Sequence, residues 1–185
     1  MKRSRCLARS ALDANLIARM VPWPPVAVTS EVTAIAVALF VIRPFREWAF
    51  RIDVRWLIAF HFIRFVGIYF LILYAQHELP YGFAVWGGSG DIAVAALALI
   101  AICFVRFRFG FILWNIVGLI DIVAVVFTAA QSAMAVPGSM HQLNRIPLIL
   151  LPTFVVPVVI VTHGVMLIRA LRSSQWGRDS SSAVH

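Results

Sequence analysis

The chain has 185 residues, 62% of them hydrophobic, and a mean hydropathy of +0.91, whereas soluble domains sit nearer to roughly 45–50% apolar. A soluble core of this size cannot hide that much apolar surface, so lipid is expected to cover part of it. The net charge is +8 although only 13% of residues are charged; the arginines lie between apolar runs, which argues against nucleic acid and for charges that hold spans at a membrane face.

The first 25 residues form a basic tail with Lys2, Arg3, Arg5, Arg9 and Arg19. It lacks the continuous apolar core of roughly 7–15 residues that a signal peptide needs. Cys6 and Cys103 stand far apart, without a CxxC motif or a disulfide framework. A transmembrane domain is expected over residues 26–170, followed by a polar tail at 171–185.

A helical span takes about 20 apolar residues. Five stretches approach that length: residues 27–42, 56–75, 83–105, 111–130 and 147–168. The expected fold is an all-α integral membrane bundle of about five transmembrane helices joined by short loops. Residues 43–55 carry Arg43, Arg46, Arg51 and Arg55, residues 105–110 carry Arg106 and Arg108, and the end carries Arg169, Arg172 and Arg178. The opposite loops carry only Arg145. The positive-inside rule then puts the C-terminus in the cytoplasm of a bacterial-type inner membrane.

The first span conflicts with that rule, because it would export the basic tail. Two readings resolve the conflict: translation from Met20, or a first helix that does not span. The 43–55 linker reads either as a basic loop or as a short interfacial helix, with Phe45, Trp48, Ala49 and Ile52 on one face. In the last span, Pro147 suits a first helical turn, while Pro152 and Pro157 are expected to bend the helix.

Ionisable groups inside spans cost about 2.5–3.5 kcal/mol each at the bilayer centre. Here they are Glu31, His61, Arg64, Asp91, Asp121 and His163, with Asn115 beside them. Counting helical rise from the basic face puts His61 at roughly 8 Å, His163 at roughly 9 Å, Arg64 at roughly 13 Å, Asp121 at roughly 16 Å and Asp91 at roughly 20 Å. A buried polar cluster of Arg64 with Asp91, Asp121, Asn115 and Glu31 is therefore expected, serving either as an ion path or as a structural ion pair. His61, Arg64 and Gly67 recur every third residue, as do Asn115, Gly118 and Asp121, although such stripes drift on an α-helix.

His61 and His163 sit on different helices at similar depth, an arrangement that suits a bis-His haem b or a metal ion. No HExxH or CxxCH motif supports either group, and no cofactor is expected on motif grounds. Gly87, Gly88 and Gly90, in GGSGD, suggest either a ligand-binding loop or close helix packing. Ser89 lacks the context of a catalytic elbow, and nothing commits the chain to an enzyme. The sequence thus favours a small transport-related or accessory subunit, with a redox or metal-binding protein as the alternative. Its expected partners are the lipid bilayer and further copies or a larger complex, not nucleic acid.

Overall fold

The computed structural model describes residues 24–136 and 138–172. The basic tail, the Met20 start and the polar C-terminal tail lie outside the described residues. Among those described, every regular element is helical: α1 (Pro24–Val41), α2 (Arg43–Arg51), α3 (Val54–Ala75), α4 (Gly82–Cys103), α5 (Arg108–Ala135) and α6 (Leu151–Arg172), with a 3₁₀ turn at His141–Asn144.

Four of these, α3 to α6, are long and apolar enough to cross a membrane, at 22, 22, 28 and 22 residues. That is about 33–42 Å of helix against roughly 30 Å of hydrocarbon. The expected first span is α1, which has 18 residues and within which Thr29–Leu39 is a shorter apolar stretch. Thr29, Ser30 and Glu31 interrupt its apolar sequence, and Thr33 turns its hydroxyl back to the Thr29 carbonyl at 2.7 Å. Even so, α1 packs against both the start of α6 at Leu151–Val155 and the rest of that helix.

Local chemistry sets the boundaries. Asp53 caps α3 by accepting from the Arg55 amide at 2.8 Å, so the helix starts at Val54, two residues earlier than expected. The last helix starts later than expected. Pro147 lies in a turn before it, where its carbonyl accepts from the Leu150 amide. Pro152 instead occupies the first turn of α6, where its missing N–H costs nothing. Leu151–Val155 winds as a π-helix, and regular α winding begins at Val156, just before Pro157.

Arg169 Nη1 donates to the Ile52 carbonyl at 2.5 Å, and Arg108 Nη2 donates to the Leu171 carbonyl at 3.3 Å. These contacts gather the basic segments at one end of the bundle. There α2 is helical, with Ala49 buried and Arg43 and Arg51 flanking Glu47 at 2.9 and 4.0 Å. Trp48 does not join the buried face; it stacks outside on Phe45 and is 59% exposed.

Two apolar clusters fill the interior. One, towards the basic end, includes Ile58, Ala98, Phe111, Trp114 and Met166. The other, towards the far end, includes Phe70, Phe83, Ile122, Val125 and Val159. In each long helix the polar residues fall between the two: His61 and Arg64 between Ile58 and Phe70, Asp91 between Ala84 and Val94, Asn115 between Trp114 and Ile122, and His163 between Val159 and Val165. Only 28–39% of each span's apolar window is buried, so most of the apolar surface faces outward. That is costly in water and natural in lipid.

The tightest crossing joins α3 to α4. A Cβ on Gly88 would come within 2.9 Å of the Gly67 carbonyl oxygen, and one on Gly67 within 3.1 Å of Asp91 Cβ. Backbone therefore meets backbone there, as small residues allow. Gly67→Ala is expected to destabilise the bundle by about 1–3 kcal/mol through overpacking. Gly164→Ala, in α6 with open space around it, should instead be neutral or stabilising by about 0.5–1 kcal/mol. Circular-dichroism melts in detergent compare the two.

Candidate functional site

Arg64 is the centre of the polar layer. It lies in the segment His61–Val66, which winds as a 3₁₀-helix inside α3. At three residues per turn, side chains at i and i+3 eclipse. The drift expected of an α-helical stripe therefore disappears, and His61 and Arg64 stack on the inward face, 0% and 2% exposed.

The Arg64 guanidinium is shared among three helices. Its Nε donates to Asp91 Oδ1 of α4 at 2.7 Å, and its Nη1 donates to the Gly118 carbonyl of α5 at 3.0 Å. Its Nη2 donates to Asp121 Oδ2, also of α5. The charged fork thus has a partner on each side, as a buried ion requires. Asp91 is as buried as Arg64, while the Asp121 side chain keeps 20% exposure. Two carboxylates against one guanidinium leave one formal negative charge when all three are ionised.

Next to the triad lies an aromatic and amide layer. The rings of His61 and His163 are in contact, with centroids 4.2 Å apart. His163 Nδ1 pairs with Asn115 Oδ1 at 3.0 Å, and His61 Nε2 lies 3.3 Å from the Thr162 hydroxyl. Trp114 packs on both imidazoles and donates its indole N–H to the Val94 carbonyl at 3.2 Å. His61 Nδ1, His163 Nε2 and Asn115 Nδ2 are buried without a hydrogen-bond partner among the described residues. The two layers meet at Gly118, where a Cβ would stand 2.9 Å from His163 Nε2 while the carbonyl of the same residue holds Arg64.

The structure thus brings together Arg64, Asp91 and Asp121, and beside them His61, His163 and Asn115. Glu31 does not join them: it lies on α1, with its Oε2 buried and without a hydrogen-bond partner among the described residues. Gly87, Gly88 and Gly90 form no loop. They wind within α4, where Gly82–Gly87 is π-helical. Gly88 meets Gly67, and Gly90 meets the Asp121 carboxylate so closely that no side chain fits. Their role is to let helices and the carboxylate approach. Among the described residues, no group of three or more His, Cys, Asp or Glu side chains could hold a metal ion.

Residues 21–171 match the family described as Domain of unknown function (DUF8737). The chain belongs to this family. No curated protein and no solved structure matches it. Three participants in the layer of this DUF8737 domain escape sequence reasoning: Trp114, Thr162 and the Gly118 carbonyl. Trp114 and Thr162 directly precede Asn115 and His163, so their position beside the polar stripe was readable. The carbonyl's role as an acceptor was not.

Removing one partner of a buried ion pair strands the other. Arg64→Leu is therefore expected to destabilise the domain by about 3–5 kcal/mol. The triple variant Arg64→Leu, Asp91→Leu, Asp121→Leu should recover most of that loss, because no buried charge is left unpaired. Chemical unfolding in mixed micelles measures both.

Proposed function

We propose that this chain is a small, multi-pass integral protein of a bacterial-type inner membrane with a transport-related role, in which the Arg64–Asp91–Asp121 triad takes up and releases a proton between two apolar layers. The observation that carries this reading is the charge count: two carboxylates share one guanidinium. In hydrocarbon the leftover charge is expensive and is cancelled by one proton on a carboxylate. Asp121, the more exposed of the pair, is the natural point of entry.

Topology follows the same reading. Helices α3 to α6 cross the bilayer, and the basic end faces the cytoplasm with the C-terminus. We place α1 as a fifth crossing beside α6, on the strength of its packing along that helix. Five spans are few for a complete permease, so self-association or membership of a larger complex completes the unit, with lipid and not nucleic acid as the surroundings.

The redox alternative fits the geometry less well. A haem lies between its two axial imidazoles, whereas His61 and His163 touch each other and Trp114. Asn115 and Thr162 already engage one nitrogen of each ring.

Three experiments test the proposal. After cell disruption the chain should sediment with membranes and resist alkaline extraction, and a reporter fused after residue 185 should be active in the cytoplasm. Recovery in the supernatant without detergent removes the whole reading. Infrared difference spectra between acid and alkaline buffer should show a protonated-carboxylic C=O stretch that Asp91→Asn or Asp121→Asn shifts or removes. A spectrum without such a band leaves the triad as a static ion pair.

A further inference from the structure

We infer that the domain carries a binding site for one anionic phospholipid at its basic end, with an acyl chain in the groove between α4 and α5 and the phosphate at Arg106 and Arg108. This rests on the membrane reading above, not on the proton chemistry of the triad.

The groove has a volume of about 370 Å³ and an almost wholly apolar lining, including Leu97, Ile100, Phe104, Phe107 and Val117. From Leu97 to Phe104 it runs about 10 Å along α4. Its floor is the buried pair Ala101 and Phe111. Its mouth is the connection between α4 and α5, where Phe104 and Phe107 are 65% and 63% exposed. Gly110 shapes that mouth. A Cβ there would come within 2.7 Å of Phe107 Cδ1, so the missing side chain lets the Phe107 ring lie against the start of α5.

An apolar groove in a bilayer is filled by acyl chains, but it does not choose among lipids, since tails are as apolar as leucine. Charge supplies the choice. Arg106 lies between the two mouth phenylalanines in the chain, and Arg108 opens α5. Both are exposed, and neither forms an ion pair among the described residues. Arg108 reaches the Leu171 carbonyl with one nitrogen, which brings the end of α6, with exposed Arg172, to the same corner. No carboxylate occurs in residues 92–120 or 169–172 to compete. A phosphate at the headgroup level beside these guanidiniums gains charge-assisted hydrogen bonds. The tail below it then enters the groove directly.

The test uses the full chain in nanodiscs that mix phosphatidylglycerol with phosphatidylcholine, followed by gentle release and native mass spectrometry. About one phosphatidylglycerol per chain is expected to remain. Arg106→Gln with Arg108→Gln should lower the preference for the anionic lipid by about 30-fold, from the typical effect of two surface arginines. Gly110→Ala, which keeps both charges but displaces Phe107, should also shed the bound lipid. Retention of phosphatidylglycerol by the double variant overturns the headgroup assignment. Wild-type binding by Gly110→Ala overturns the groove, leaving diffuse surface attraction. A stable dimer of lipid-free chains, cross-linked through cysteines placed at Leu97 and Leu113, overturns the site in favour of a second copy. Failure of the chain to enter nanodiscs would instead remove the membrane reading itself.

Discussion

A single guanidinium holds three helices in register. Arg64 reaches Asp91 on α4 and both Asp121 and the Gly118 carbonyl on α5. Outside water such a group must satisfy its donors within the protein, so the three helices have little freedom to slide or rotate relative to one another. The glycines at the crossing follow from this constraint. Gly67 and Gly88 bring α3 and α4 close enough for the short span between Arg64 and Asp91, and Gly90 leaves room for the Asp121 carboxylate. The apolar clusters above and below then seal the polar layer from both ends.

The histidine pair is the second tier of the same arrangement. His163 is tied to Asn115, and His61 stacks in line with Arg64 through the 3₁₀ turn. Trp114 closes the space around both rings. Three buried nitrogens in this tier have no hydrogen-bond partner among the described residues, which is unusual for a native interior. The tier lies directly against a residue whose carbonyl serves the triad. The two tiers therefore form one continuous polar region through the middle of the bundle.

Much of this was legible in the chain. Four long apolar helices, the gathering of arginines at one end and the nearness of Arg64 to the two aspartates follow from apolar run length, loop charge and helical rise. Other features are not encoded in those signals. The 3₁₀ winding at His61–Val66 and the π winding at Gly82–Gly87 and Leu151–Val155 depend on tertiary packing. Periodicity read at 3.6 residues per turn cannot anticipate them. Glu31 reads as part of the cluster because depth alone cannot say which way a side chain on α1 points. Gly87, Gly88 and Gly90 read either as a ligand-binding loop or as close helix packing, because glycine lowers helix propensity in water, and they wind within α4 at the close approaches. Pro147 reads as part of the last helix because apolar content extends past the true boundary into the preceding turn.

The tight winding of α3 also changes its reach. A 3₁₀ segment advances about 2.0 Å per residue against 1.5 Å in an α-helix, so six such residues lengthen α3 by about 3 Å. A ruler set to α-helical rise therefore places everything beyond His61 too low. The stretched turn lifts the guanidinium towards the carboxylate that the same ruler put highest, and a side chain of ordinary length then closes the remaining distance.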